Sequence, residues 1–122
     1  MGRMREAFAH DAMLGMEPQA DLQAPGAAIT AALCGHWEHD PPCPLAPHHN
    51  SAERVGDQVR VHTLFATEPG EEATVRVLID SALASGRLQR QDGTIVEWQL
   101  RSSGRGAVAA AEEEPAARLV LG

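Results

Sequence analysis

The chain has 122 residues, a formal charge of −7, ten basic residues that are all arginine, and only 3% aromatic residues. That length bounds it to one domain, or to one smaller domain with loose ends. The acidic balance excludes nucleic acid as a general partner, because phosphate binding needs a basic surface, and it excludes an anionic membrane surface for the same reason.

No apolar run approaches the roughly 20 residues needed to span a bilayer. Arg3 and Arg5 are followed by His10, Asp11 and Glu17, which interrupt anything resembling a signal-peptide core. The chain therefore reads as cytoplasmic, where thiols stay reduced; its two cysteines, Cys34 and Cys43, are then a ligand pair or free thiols rather than a disulfide. The lack of lysine, with abundant Ala, Gly and Pro, points to a GC-rich bacterial genome. With few aromatics, the core must come from Val, Leu, Ile and Ala.

Residues 1–25 read as an N-terminal tail or a loosely docked helix: Met4, Phe8 and Ala12 recur at helical spacing before Gly15, Pro18 and Pro25 break the pattern. Residues 27–38 read as a strand, with Ile29, Ala31, Leu33 and Trp37 on one face and Thr30, Cys34, His36 and Glu38 on the other. Prolines 41, 42, 44 and 47 make 39–50 a stiff extended loop, since proline fixes φ and removes a donor. Asn50 to Asp57 reads as a polar turn with Gly56-Asp57 at its tip. Residues 58–66 alternate, with Val59, Val61, Thr63 and Phe65 facing one way, and are expected to pair with 27–38.

Residues 69–85 carry the clearest helical pattern. Pro69 suits a first turn, Glu71 and Glu72 complement the dipole, and Val75, Leu78, Ile79, Ala82 and Leu83 form an apolar stripe that ends at Gly86. Asp92-Gly93 signals a tight hairpin between short strands. Val96, Trp98 and Leu100 alternate with Glu97, Gln99 and Arg101, and 102–106 reads as a loop. Residues 107–122 form a tail or a short helix, with Glu112, Glu113 and Glu114 as solvated charges. The expected fold is α+β in the order β-β-α-β: a small, mostly antiparallel sheet of three to four strands with one amphipathic helix on one face. Residues 26–106 would be the single domain.

Reactive chemistry concentrates in 34–49, which holds both cysteines and four of the six histidines. Zinc takes thiolate and imidazole donors, usually four in a tetrahedron. The preferred ligand set is Cys34, His36, Cys43 and His48, with His39 and His49 as the nearest substitutes and His62 a weaker candidate on the neighbouring strand. A loop stiffened by prolines loses less entropy on closing around an ion. Glu38 or Asp40 could orient an imidazole or supply an oxygen. The spacing matches no standard zinc-finger or ribbon pattern. The competing readings are a buried, inert Cys34 beside solvated histidines, and a thiol activated by a nearby histidine.

These residues point to a small module that binds a transition metal, zinc first and copper second. The alternatives are a small metal-dependent hydrolase with an open site and a metal-free interaction domain that dimerises through its exposed sheet face. No catalytic residue is singled out.

Overall fold

The computed structural model describes residues 5–34 and 46–121. In chain order the elements are β1 (Glu6–Gly15), α1 (Ala24–Cys34), β2 (His48–Val55), β3 (Gln58–Thr67), α2 (Glu72–Ala84), β4 (Arg87–Gln89), β5 (Ile95–Glu97), β6 (Gln99–Gly106) and α3 (Glu113–Leu121). Short 3-10 turns, Pro69–Glu71 and Ala110–Glu112, lead into α2 and α3.

The fold is α+β, with one four-stranded antiparallel sheet in the order β2-β3-β1-β6 and a separate β4-β5 hairpin. In each of the units β1-α1-β2 and β3-α2-β6, two parallel strands are separated by one antiparallel strand of the other unit. This interleaving is the split β-α-β, or ferredoxin-like, topology.

Both crossover helices lie on one face of the sheet and pack against each other. Their apolar stripes, Ile29 and Leu33 of α1 and Val75, Ile79 and Leu83 of α2, meet Ala12, Leu14, Val59, Val61 and Phe65 in one buried cluster. Each fully buried Leu, Ile or Phe contributes about 1.5–3 kcal/mol to that core. Trp98, between β5 and β6, closes one end: its indole N–H donates to Leu83 O (2.8 Å), and its backbone N–H donates to Gly86 O (2.9 Å).

The opposite face divides in two. Over one half, α3 crosses β1 and β3; Ala9, Leu64, Ala66 and Ala116 are buried there, outside the main cluster. The other half presents Asp11, Ser51, Glu53, Arg60 and His62, the register placing Asp11 and Ser51 on either side of His62.

The helix over 69–85, the strand over 58–66 and the Asp92-Gly93 turn are as the sequence pattern predicts. The two-residue tip Gly56-Asp57 joins β2 to β3; Gly56 takes a φ of 64°, the left-handed region that the first position of a type II′ hairpin turn demands.

Other expectations are overturned. Residues 24–34 are helix, not the start of a strand: Pro25 sits in the first turn, and Ile29 and Leu33 are buried four residues apart on one face. Strand β3 pairs instead with β1 and β2. Residues 6–15 form an inner strand of the sheet rather than a tail or helix. Residues 50–55 continue β2, and 102–106 belong to β6. Among the described residues the order is β-α-β-β-α-β-β-β-α, with three α-helices rather than one.

Candidate functional site

The sequence-predicted ligands divide among three places. His36, His39 and Cys43 lie outside the described residues, and Cys34 is the last residue of α1. His48 opens β2 and pairs with Phe65, so it lies on the helix-covered face; His49, its neighbour in a strand, lies on the other face and is exposed. His62 is also on that other face, opposite Ser51 and Asp11, and so does not share a face with His48. Among the described residues, no three His, Cys, Asp or Glu side chains are arranged to hold a metal ion.

His48 is the terminus of a directional hydrogen-bond chain that ties α1 to β2. The Thr63 hydroxyl donates to Asn50 Oδ1 (2.8 Å), and the Asn50 amide donates to Gly26 O (3.0 Å) and Thr30 Oγ1 (3.3 Å). Thr30 Oγ1 lies 2.9 Å from His48 Nε2, and His48 Nδ1 lies 3.1 Å from Ala46 O. The Ala46 carbonyl can only accept, so Nδ1 carries the proton, and Nε2 turns its lone pair to the Thr30 hydroxyl. Burial pushes the His48 pKa below the ordinary histidine value, against a smaller opposing effect of the Ala46 carbonyl, and the nearby His49 lowers it further. A neutral imidazole anchored by a backbone carbonyl at Nδ1 is the form in which histidine ligates metals. Position 34 follows position 30 by one helical turn, on the same side of α1.

A pH dependence follows. The unfolded chain protonates His48 near its ordinary value of about 6.5, whereas the folded chain does so only at lower pH. As pH falls between those two values, the unfolded state takes up a proton that the folded state refuses, and stability falls. Urea midpoints of the metal-free chain should therefore drop over this range by more than those of His48→Gln. Identical pH profiles for the two chains would refute the assignment.

On the other face, His62 is held at both nitrogens. Its Nδ1 meets Asp11 Oδ1 at 2.5 Å, and its Nε2 meets Glu112 Oε1 and Oε2 at 3.0 and 2.9 Å. Each ring nitrogen thus faces a carboxyl group, Asp11 on one side and Glu112 on the other. Asp11 can approach because position 106 is glycine: a Cβ there would lie 2.5 Å from Asp11 Oδ2. Arg60 Nη2 reaches Asp11 at 3.5 Å, and Nη1 reaches Glu53 at 3.8 Å. Glu112 Oε1 also accepts the Ala109 N–H (2.9 Å), which fixes the carboxylate in the turn before α3.

The chain matches no protein-family model, and a search of curated proteins returns no match. The site must therefore be read from its own chemistry.

The His62 cluster borders a cleft of about 320 Å³ lined by Ser51, Glu53, Arg60, His62 and Glu112, among others. Its acidic partners are invisible to spacing arguments, since Asp11 and Glu112 lie 51 and 50 residues from His62 in sequence. Glu112 reads as a solvated charge in a run of three; the Ala109-x-x-Glu112 turn, in which the glutamate caps its own entry, is the one local cue that its carboxylate is fixed.

Proposed function

We propose that this chain is a small metal-binding module that holds a transition metal, zinc before copper, through Cys34, His36, Cys43 and His48. The observation that carries the reading is the state of His48. Its Nδ1 proton is committed to Ala46 O, and its Nε2 lone pair is turned toward the side of α1 on which position 34 follows. Burial holds the ring in the neutral form that a metal requires.

Three further features support it. The donors in 34–49 mix thiolate and imidazole, the combination zinc favours. Cys34 follows Thr30 by one turn of α1, and the Thr30 hydroxyl meets His48 Nε2. A net charge of −7 also suits a cation. Because His49 and His62 lie on the opposite sheet face from His48, His39 is the better substitute ligand. The ion would tie the end of α1 to the start of β2, supporting a binding or accessory role by stabilising the connection between them.

Elemental analysis of protein purified without a histidine tag tests this reading. The expected result is about one zinc ion per chain, lost in Cys34→Ser/His36→Ala. Substoichiometric metal that does not change in that variant would overturn the proposal.

A further inference from the structure

We propose that the cleft around His62 is a binding site for a small carboxylate ligand, and that Glu112 takes the place of that ligand in this structure. The argument starts from how His62 is held. Asp11 fixes Nδ1, so the ring cannot turn, and Nε2 points across the sheet face at a single carboxylate. That carboxylate belongs to the chain's own C-terminal segment rather than to the sheet. It approaches with both oxygens within hydrogen-bond distance of the same N–H, as a free carboxylate would.

The surroundings are those of a ligand site. On one side of Glu112 lies the cleft of about 320 Å³ with Arg60 and Ser51 on its wall. On the other lies a second cleft of about 510 Å³, lined in part by His49, Leu64, Arg118 and Leu119. Ser51 and Glu112 line both. Glu112 is thus a partition standing over His62 between two hollows. With its side chain withdrawn, the hollows would join into one groove, with His62 at its centre, Arg60 toward one end and Arg118 toward the other. A volume of several hundred Å³ is that of a small-molecule site; because Arg60 already faces Asp11 and Glu53, the group a ligand must satisfy is His62 Nε2, which a carboxylate in the groove would meet as Glu112 does now. The apolar Leu64 and Leu119 would take the ligand's hydrocarbon end, which distinguishes a carboxylic acid from inorganic phosphate.

The partition is a single side chain, so displacing it does not require α3 to leave the sheet. Ala116 is the one buried residue of α3 among those described, while Leu121 at its end is 87% exposed. The segment that carries Glu112 is held by α3 over Ala9, Leu64 and Ala66, by the Ala109 N–H bond to the Glu112 carboxylate and by the contact of that carboxylate with His62; a swing of the Glu112 side chain alone breaks only the last two.

Acetate and butyrate, titrated into Glu112→Ala and followed by the side-chain NMR signals of His62, test the proposal. The expected result is saturable binding with a dissociation constant on the order of millimolar, at least about tenfold weaker in the wild-type chain, with butyrate tighter than acetate, and no binding in Glu112→Ala/His62→Ala, where backbone amide signals around position 62 and the melting temperature serve as the readout. Acetate should also raise the melting temperature of Glu112→Ala and leave that of the wild type unchanged. Glu112→Gln provides a second background, because its amide oxygen can still accept the Ala109 N–H and keep the turn. Failure of both Glu112 variants to respond saturably at His62 would overturn the proposal. So would persistence of binding without His62, or an equal response to phosphate.

Discussion

Arg76→Ala is expected to destabilise the fold by about 3–5 kcal/mol, a large fraction of the roughly 5–15 kcal/mol that holds a domain of this size together. Arg76 projects from α2 beneath the sheet, and its side chain is only 12% exposed. Its guanidinium donates to Glu72 Oε2 (2.8 Å), to the backbone carbonyl of Ala9 (2.8 Å) and to His10 Nδ1 (3.0 Å). It also lies over two rings, 6.0 Å from the centroid of Phe8 and 5.3 Å from that of Phe65. Since arginine only donates, His10 Nδ1 must accept, and Nε2 then donates to Asp80 Oδ1 at 2.8 Å. One cation thus sets the tautomer of a histidine that is 3% exposed in an inner strand.

Truncation at Arg76 would strand His10 Nδ1, remove the side-chain donor to the Ala9 carbonyl, and leave Glu72 with the longer contact to the exposed Arg105. Unsatisfied buried polar groups cost more than the hydrogen bonds themselves contribute. Arg76→Lys should fall between the wild type and alanine, because a lysine keeps the charge but loses the planar fork and the stacking. Urea unfolding followed by circular dichroism measures both. A loss below about 1 kcal/mol in Arg76→Ala would show that the network behaves as a surface ion pair.

The same network explains why β1 is hidden in the sequence. Its helix-facing positions are Phe8, His10, Ala12 and Leu14, and a histidine in that row breaks the apolar alternation. Its other face is also partly covered, by α3 over Ala9, so the strand lacks the polar row that marks a half-exposed strand. In α1 the same residues fit two periods. Ile29 and Leu33 satisfy a strand at spacing two as well as a helix at spacing four, and the alanines between them fit both; Pro25 in the first turn is what resolves the choice. By contrast, α2 carries a complete apolar row against the shared core, and β3 carries one interrupted only by the β-branched Thr63, so their periods are legible. Strand β6 is a sheet edge rich in Ser, Gly and Arg, largely exposed, so its composition resembles a loop.

The candidate sites were legible to different degrees for a related reason. A metal cluster is local in sequence, so its donors can be counted within 34–49. Its division between sheet faces cannot, because adjacent residues such as His48 and His49 diverge as soon as the backbone becomes extended. The His62 cluster is assembled from β1, β3 and the turn before α3: the strand register brings Asp11 beside His62, and the turn brings Glu112 over it.

On the metal-binding reading, zinc should stabilise the chain by an amount set by its concentration. At about 100 times the dissociation constant the gain is about 2.7 kcal/mol, and Cys34→Ser/His48→Gln should gain nothing. Thr30 supplies a sharper discrimination. Its hydroxyl now occupies the Nε2 lone pair that a metal would need, so binding must displace that hydrogen bond, a loss of about 0.5–1.5 kcal/mol. Thr30→Ala removes the competitor while leaving the Ala46 carbonyl to orient the ring. It should therefore bind zinc up to roughly tenfold more tightly than the wild type, although the apo fold loses the acceptor that Asn50 uses. Protons compete for the same nitrogen, so the zinc-dependent gain should shrink as pH falls, in the wild type and in Thr30→Ala alike. Competition titration against a chelator of known affinity gives the dissociation constants, and thermal unfolding with and without zinc gives the gain. Equal zinc stabilisation in the wild type and in Cys34→Ser/His48→Gln would overturn the ligand assignment. Weaker binding by Thr30→Ala would show that the hydroxyl supports the metal-binding geometry rather than competing for it.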